Sequence, residues 1–163
     1  MLSSAERKNG WQLAEETGYH QPRAIQRVLD RSIWDADAVR DDLRDYVVAE
    51  LGDTAGVRVV DETGLLKQGR KSVGVKRQYR GTAGRIENGQ IGVFLGYASP
   101  QGRVGLDRAL YLPQEWAANG ERRTGGGVPE DVSFQTKPQL ALGLIERALA
   151  GGVAVAWVTA DEV

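Results

Sequence analysis

Two acidic pairs in this sequence each close a strand-like run: Asp61-Glu62 follows Val57-Arg58-Val59-Val60, β-branched but for Arg58, and Asp161-Glu162 follows the apolar residues 153–158. Each pair falls at the C-terminal end of a predicted central strand, where open α/β sheets place their ligands. If the two strands are neighbours, carboxylates 100 positions apart converge. Converging carboxylates repel one another and are costly to hold ionised in a partly buried site. Divalent cations offset that cost, and Mg²⁺ favours a few carboxylates together with water and phosphate oxygens. Two such ions about 3.5–4 Å apart activate a water or a 3′-hydroxyl and stabilise the leaving oxygen of an in-line phosphoryl displacement. A single Asp after a strand is commonly a turn or N-cap residue, so the repetition of the context carries the reading. Alternation along a strand cannot say which member of each pair points into the site.

Net charge is only −1, but it is unevenly spread: residues 1–54 hold 11 acidic and 7 basic side chains. From Thr63 to Ile86 there are seven basic residues, Lys67, Arg70, Lys71, Lys76, Arg77, Arg80 and Arg85, and no acidic one. Such a stretch on a near-neutral chain can neutralise phosphates; a solvated loop would carry the same charges. Other motifs carry less. Gly64-x4-Gly69 followed by Arg70-Lys71-Ser72 mimics a P-loop, but Arg70 stands where that motif needs Lys. His20, the only histidine, reads as an exposed side chain in the helical region, which argues against Ser-His-Asp machinery. Gly81, Gly84 and Gly89 read as turn formers, and Trp11, Trp34, Trp116 and Trp157 as packing residues.

The elements that must position these residues change character along the chain. Helices are predicted from about Ala5 to Thr17, ending at Gly18, then from Pro22 through Ile25, Val28 and Leu29. A third is predicted from an Asp35 N-cap, with Val39, Leu43, Tyr46 or Val47, and Leu51 on one stripe. The first two helices around a glycine turn suggest a helix-turn-helix, although a small bundle would look the same. Beyond Gly56 the pattern is strand 57–60, a basic connection, a hairpin of Gln90–Ala98 and Arg103–Leu112, and an irregular region 113–136. A helix from Pro138 to about Ala150 and the strand 153–158 complete the order strand-strand-strand-helix-strand. That order implies an α/β fold with a mixed sheet preceded by a small helical segment. The last strand needs cover on both faces, and no helix follows it within the 163 residues, so the sheet reads as incomplete. No apolar run approaches the roughly 18 residues of a membrane span, and the N-terminus lacks a signal-peptide core. The absence of cysteine rules out disulfides and thiolate zinc sites and fits a reducing cytoplasm.

The residues also resemble a family. Val59-Val60-Asp61-Glu62-Thr63-Gly64, Lys71-Ser72-Val73-Gly74-Val75 and Arg77-Gln78-Tyr79 look like the opening of a DDE superfamily endonuclease of the insertion sequence 701 type. The likeness continues through Gly81 to Asn88, Gly92-Val93-Phe94-Leu95, Tyr97-Ala98-Ser99-Pro100 and Leu110-Tyr111-Leu112-Pro113. It extends over Thr136 to Ala141 and Trp157 to Val163, and Glu6 to Glu15 and Trp34 to Asp37 resemble the preceding helical segment. This resemblance implies a ribonuclease H-like fold, Mg²⁺ or Mn²⁺, and cutting and joining of double-stranded DNA at transposon ends, with a homodimer acting on paired ends. By position, Asp61 and Asp161 are the first two catalytic, metal-binding aspartates, with Glu62 and Glu162 their neighbours. Gly89 stands where relatives are expected to carry cysteine, which leaves the metal site untouched.

The third ligand, a glutamate, belongs on a helix downstream of Val163. The implied organisation is a helical segment 1–54, able to contact DNA, and a partial ribonuclease H-like catalytic domain 55–163 lacking the glutamate-bearing part. Such a chain is a transposase fragment with little or no strand transfer alone. Its rival is a non-catalytic DNA-binding remnant using the basic stretch 67–85. A complete but different ribonuclease H-like nuclease fits less well, because the final elements are missing.

Overall fold

A computed structural model describes residues 9–80 and 84–160, which fall into two compact units dividing between Val39 and Arg40. In the first unit, α1 (Gly10–Glu16) starts at Asn9, whose side chain accepts the amides of Trp11 and Gln12. It ends at Thr17, and Gly18 takes φ +77, the left-handed geometry that glycine adopts without strain. Next comes α2 (Arg23–Asp30), with Pro22 at its start. The third helix, α3 (Ala36–Leu51), belongs to the second unit from Arg40 onward and is capped by Asp35, which accepts the amides of Asp37 and Ala38. Of its predicted stripe, Val47 is buried and Leu51 packs beside it, whereas Val39 and Tyr46 are exposed.

The second unit is built on a five-stranded sheet: β1 (Val57–Leu66), β2 (Lys76–Arg80), β3 (Arg85–Ser99), β4 (Gly102–Leu110) and β5 (Trp157–Ala160). β1 is central, antiparallel to β3 on one edge and parallel to β5 on the other, where Val57–Val60 face Trp157–Ala160 in register. β3 is long enough to take β2 and β4 on its far edge. Between β4 and β5 come α4 (Gln114–Ala117), α5 (Gly120–Gly126) and α6 (Lys137–Ala150). The predicted α6 is present with a full capping box: Thr136 accepts the Gln139 amide and Gln139 accepts the Thr136 amide. Leu144 and Ala148 of α6 and Val47 of α3 bury one sheet face with Val60, Val93, Leu95, Tyr97 and Leu106. A second, smaller core joins Val75, Leu112 and Trp116, flanked by Val73, Ala117 and Val128.

Five expectations change. β1 does not stop at Val60, because pairing of Asp61–Leu66 with Gly89–Phe94 overrides the turn tendency of Asp61-Glu62-Thr63-Gly64. The basic connection contains a strand, β2, and the irregular region contains α4 and α5. The last strand starts later than expected, at Trp157, and all four of its residues are exposed. Of the four tryptophans only Trp116 is buried; Trp11, Trp34 and Trp157 are exposed. The P-loop mimic is excluded, since Gly64 lies inside β1 and the next element is a strand rather than a helix. Among the described residues, no helix is long and apolar enough to cross a membrane.

Candidate functional site

Asp61 is the fifth residue of β1 and pairs across the sheet with Phe94. The parallel register Val60↔Ala160 means that Asp61 follows Val60 just where the described part of β5 ends. Strand alternation puts Asp61 on the face with Val59, Thr63 and Phe94, all exposed, opposite the face that α6 covers. The Asp61 carboxylate accepts its neighbour's amide, Glu62 N, at 2.7 Å and makes no ion pair among the described residues. An exposed carboxylate with oxygens to spare suits a hard divalent cation that keeps most of its waters. Asp161, the second predicted aspartate, lies outside the described residues, as does Glu162.

Glu62 is engaged elsewhere. It alternates onto the α6 face, and its Oε2 lies 2.5 Å from Lys137 Nζ at the start of α6. Packing separates the two members of the first pair: Glu62 is ion-paired to a helix, and Asp61 faces solvent without an ion pair among the described residues. Beneath them, Arg58 is fully buried; its Nη2 donates to the Val153 carbonyl, and its Nε has no partner among the described residues. Burial lowers the pKa of this guanidinium, and nearby Tyr97 opposes that shift. By holding the Val153 carbonyl, Arg58 ties the approach to β5 onto β1. Among the described residues, no three histidines, cysteines or carboxylates converge.

The basic residues do not form one loop. Lys67 closes β1: its amide donates to Asn88 O, and its carbonyl accepts from Asn88 Nδ2. Arg70, Lys71 and Arg77 are exposed, and Arg80 and Arg85 are paired partners at the end of the β2–β3 hairpin. Lys76 instead meets Glu115 of α4, at 2.5 Å. That hydrogen bond, assisted by the charge of Arg122, holds the Glu115 carboxyl below its ordinary range.

Two cations escaped the sequence reading. Arg122 stacks 3.9 Å over the Trp116 ring, and Lys137 pairs with Glu62. A signal for the first was present: Asn119 caps α5, accepting the Arg122 amide, and Gly127 ends it in left-handed geometry, as start and stop residues do.

A family model described as DDE superfamily endonuclease matches residues 1–163. The probable transposase for insertion sequence element IS701 of Microchaete diplosiphon is 28% identical over 165 residues, covering 98% of this chain. The chain spans 39% of that relative's length. No solved structure matches the chain.

Proposed function

The chain belongs to the DDE superfamily endonucleases, and from that premise we propose that it contributes two metal-binding aspartates and a DNA-binding surface to a transposase acting at insertion-sequence ends. The observation that carries the reading is the β1–β5 register, which ends at Val60↔Ala160 with Asp61 next on an exposed face. Asp61 and Asp161 each follow one member of that pair in the chain. The strand order, with a central β1 antiparallel to β3 and parallel to β5, supports a ribonuclease H-like sheet.

In this reading Asp61 and Asp161 hold Mg²⁺ or Mn²⁺, which would activate a water or 3′-hydroxyl and stabilise the leaving oxygen of a DNA phosphodiester. Asp61 offers carboxylate oxygens free of any cationic side chain among the described residues. Lys137 keeps Glu62 turned to the helix face, so that it does not compete. Lys67, Arg70, Lys71, Arg77, Arg80 and Arg85 bind the DNA backbone, with Lys76 partly neutralised by Glu115.

The helical segment adds a second contact. Arg23, Gln26 and Arg27 are exposed on one side of α2, Arg31 follows at its C-cap, and none of the arginines is ion-paired among the described residues. A homodimer on paired ends is part of the same proposal.

Mn²⁺ titration followed by NMR tests the site directly. Paramagnetic broadening should begin at the amides of residues 60–62 and 159–162, and Asp61→Asn should abolish it there. Broadening that survives the substitution, or that centres elsewhere, would overturn the assignment.

A further inference from the structure

The basic segment after β1 is clamped in place by the second core. Val73 and Val75 pack with Leu112, Trp116, Ala117 and Val128, and Gln90 Nε2 donates to the Val73 carbonyl. Between them Gly74 has φ +75, and a Cβ there would lie 2.8 Å from the Tyr111 carbonyl oxygen, so the chain can make this close turn only with glycine. Trp116 is fully buried and donates its indole N–H to the Val75 carbonyl at 2.8 Å. Arg122 then lies over the Trp116 ring, 3.9 Å from its centre, and its Nη2 donates to the Arg70 carbonyl at 3.3 Å. Its Nε and Nη1 make no hydrogen bond among the described residues.

We propose that Arg122 is a further DNA-backbone contact, held by Trp116 beside Arg70 and Lys71 so that the three cations form one phosphate-binding surface. The inference rests on the DNA-binding reading above and deepens it. Contact with the indole face and the hydrogen bond to the Arg70 carbonyl hold the guanidinium before any ligand arrives, and a pre-positioned fork loses little entropy on taking up phosphate oxygens. The cation adjoins Arg70 although the two lie 52 residues apart in the chain. Lys76 is hydrogen-bonded directly to Glu115 and contributes less, whereas Arg122 acts on that carboxyl only through its charge. The surface therefore crosses from the β1–β2 connection to α5 rather than following the hairpin alone.

Binding of the full chain to a fluorescein-labelled DNA duplex, measured by anisotropy over a series of salt concentrations, tests this. Removing one cation that neutralises a phosphate should reduce the slope of log K against log salt by about 0.9. Arg122→Gln should show one such step, and Arg122→Lys, which keeps the charge but not the fork, should retain the original slope. An unchanged slope in Arg122→Gln overturns the proposal while leaving DNA binding intact. So does an equal decrease in both variants, which would mean that Arg122 only props the Arg70 backbone. Absence of any salt-dependent binding by the unsubstituted chain would instead sink the DNA-binding reading itself. Thermal unfolding of both variants guards against misfolding; if Arg122→Gln is destabilised, Arg122→Lys decides between contact and prop.

Discussion

Neighbouring carboxylates in this protein have different fates because a strand turns successive side chains to opposite faces. Asp61 faces solvent, while Glu62 meets Lys137. Glu115 shows the same dependence on a partner: the hydrogen bond from Lys76 Nζ keeps its carboxyl ionised below the ordinary range. A carboxylate whose folded pKa is depressed contributes stability above its unfolded value and loses it as pH falls through the folded one. The Lys76–Glu115 contribution should therefore disappear between the ordinary glutamate value and the lowered one. Carboxyl ¹³C NMR should place the Glu115 midpoint below that of an isolated glutamate, and Lys76→Met should move it back up. A midpoint insensitive to Lys76 would show that the pair does not persist in solution. Both groups are solvent-exposed, so little change in stability should accompany the shift.

Among the elements, α6 does most to organise the sheet, since its buried face supplies Leu144 and its first turn supplies Lys137. Its start was read from Pro138; the structure adds the Thr136 cap and the Gln139 side chain that complete a capping box. Thr136→Ala should cost about 1 kcal/mol in denaturant unfolding, the usual value of a lost N-cap. Leu144→Ala should cost more, about 2–5 kcal/mol, because the side chain is wholly enclosed by Val60, Leu95 and their neighbours. If the two substitutions proved equal, α6 would not be packed as described. β1 and β2 were harder to read. The run Asp61–Gly64 has turn composition, and only its hydrogen bonding to β3 keeps it extended. Lys76–Arg80 has no apolar alternation at all and is a strand because Arg85–Gly89 pairs with it.

At the level of the whole molecule, the two units differ sharply in what they bury. Among the described residues, α1 and α2 enclose little beyond Leu13, Ala14 and Pro22, whereas the sheet encloses a core running from Val47 to Val153. Hydrogen exchange should reflect that difference. Amides of β3 around Leu95 should exchange only through global unfolding, and those of α1 and α2 much faster; equal protection would contradict the division at Val39. The sequence was sufficient for the α/β class, the Asp35 cap, the Gly18 stop and the hairpin, because each depends on residues a few positions apart. Resemblance then singled out Asp61 and Asp161. Tertiary pairing settled which face Asp61 occupies, that Glu62 is held by Lys137, and that Trp116 brings Arg122 to Arg70. Those contacts join residues dozens of positions apart, and local pattern carries no record of a partner that distant.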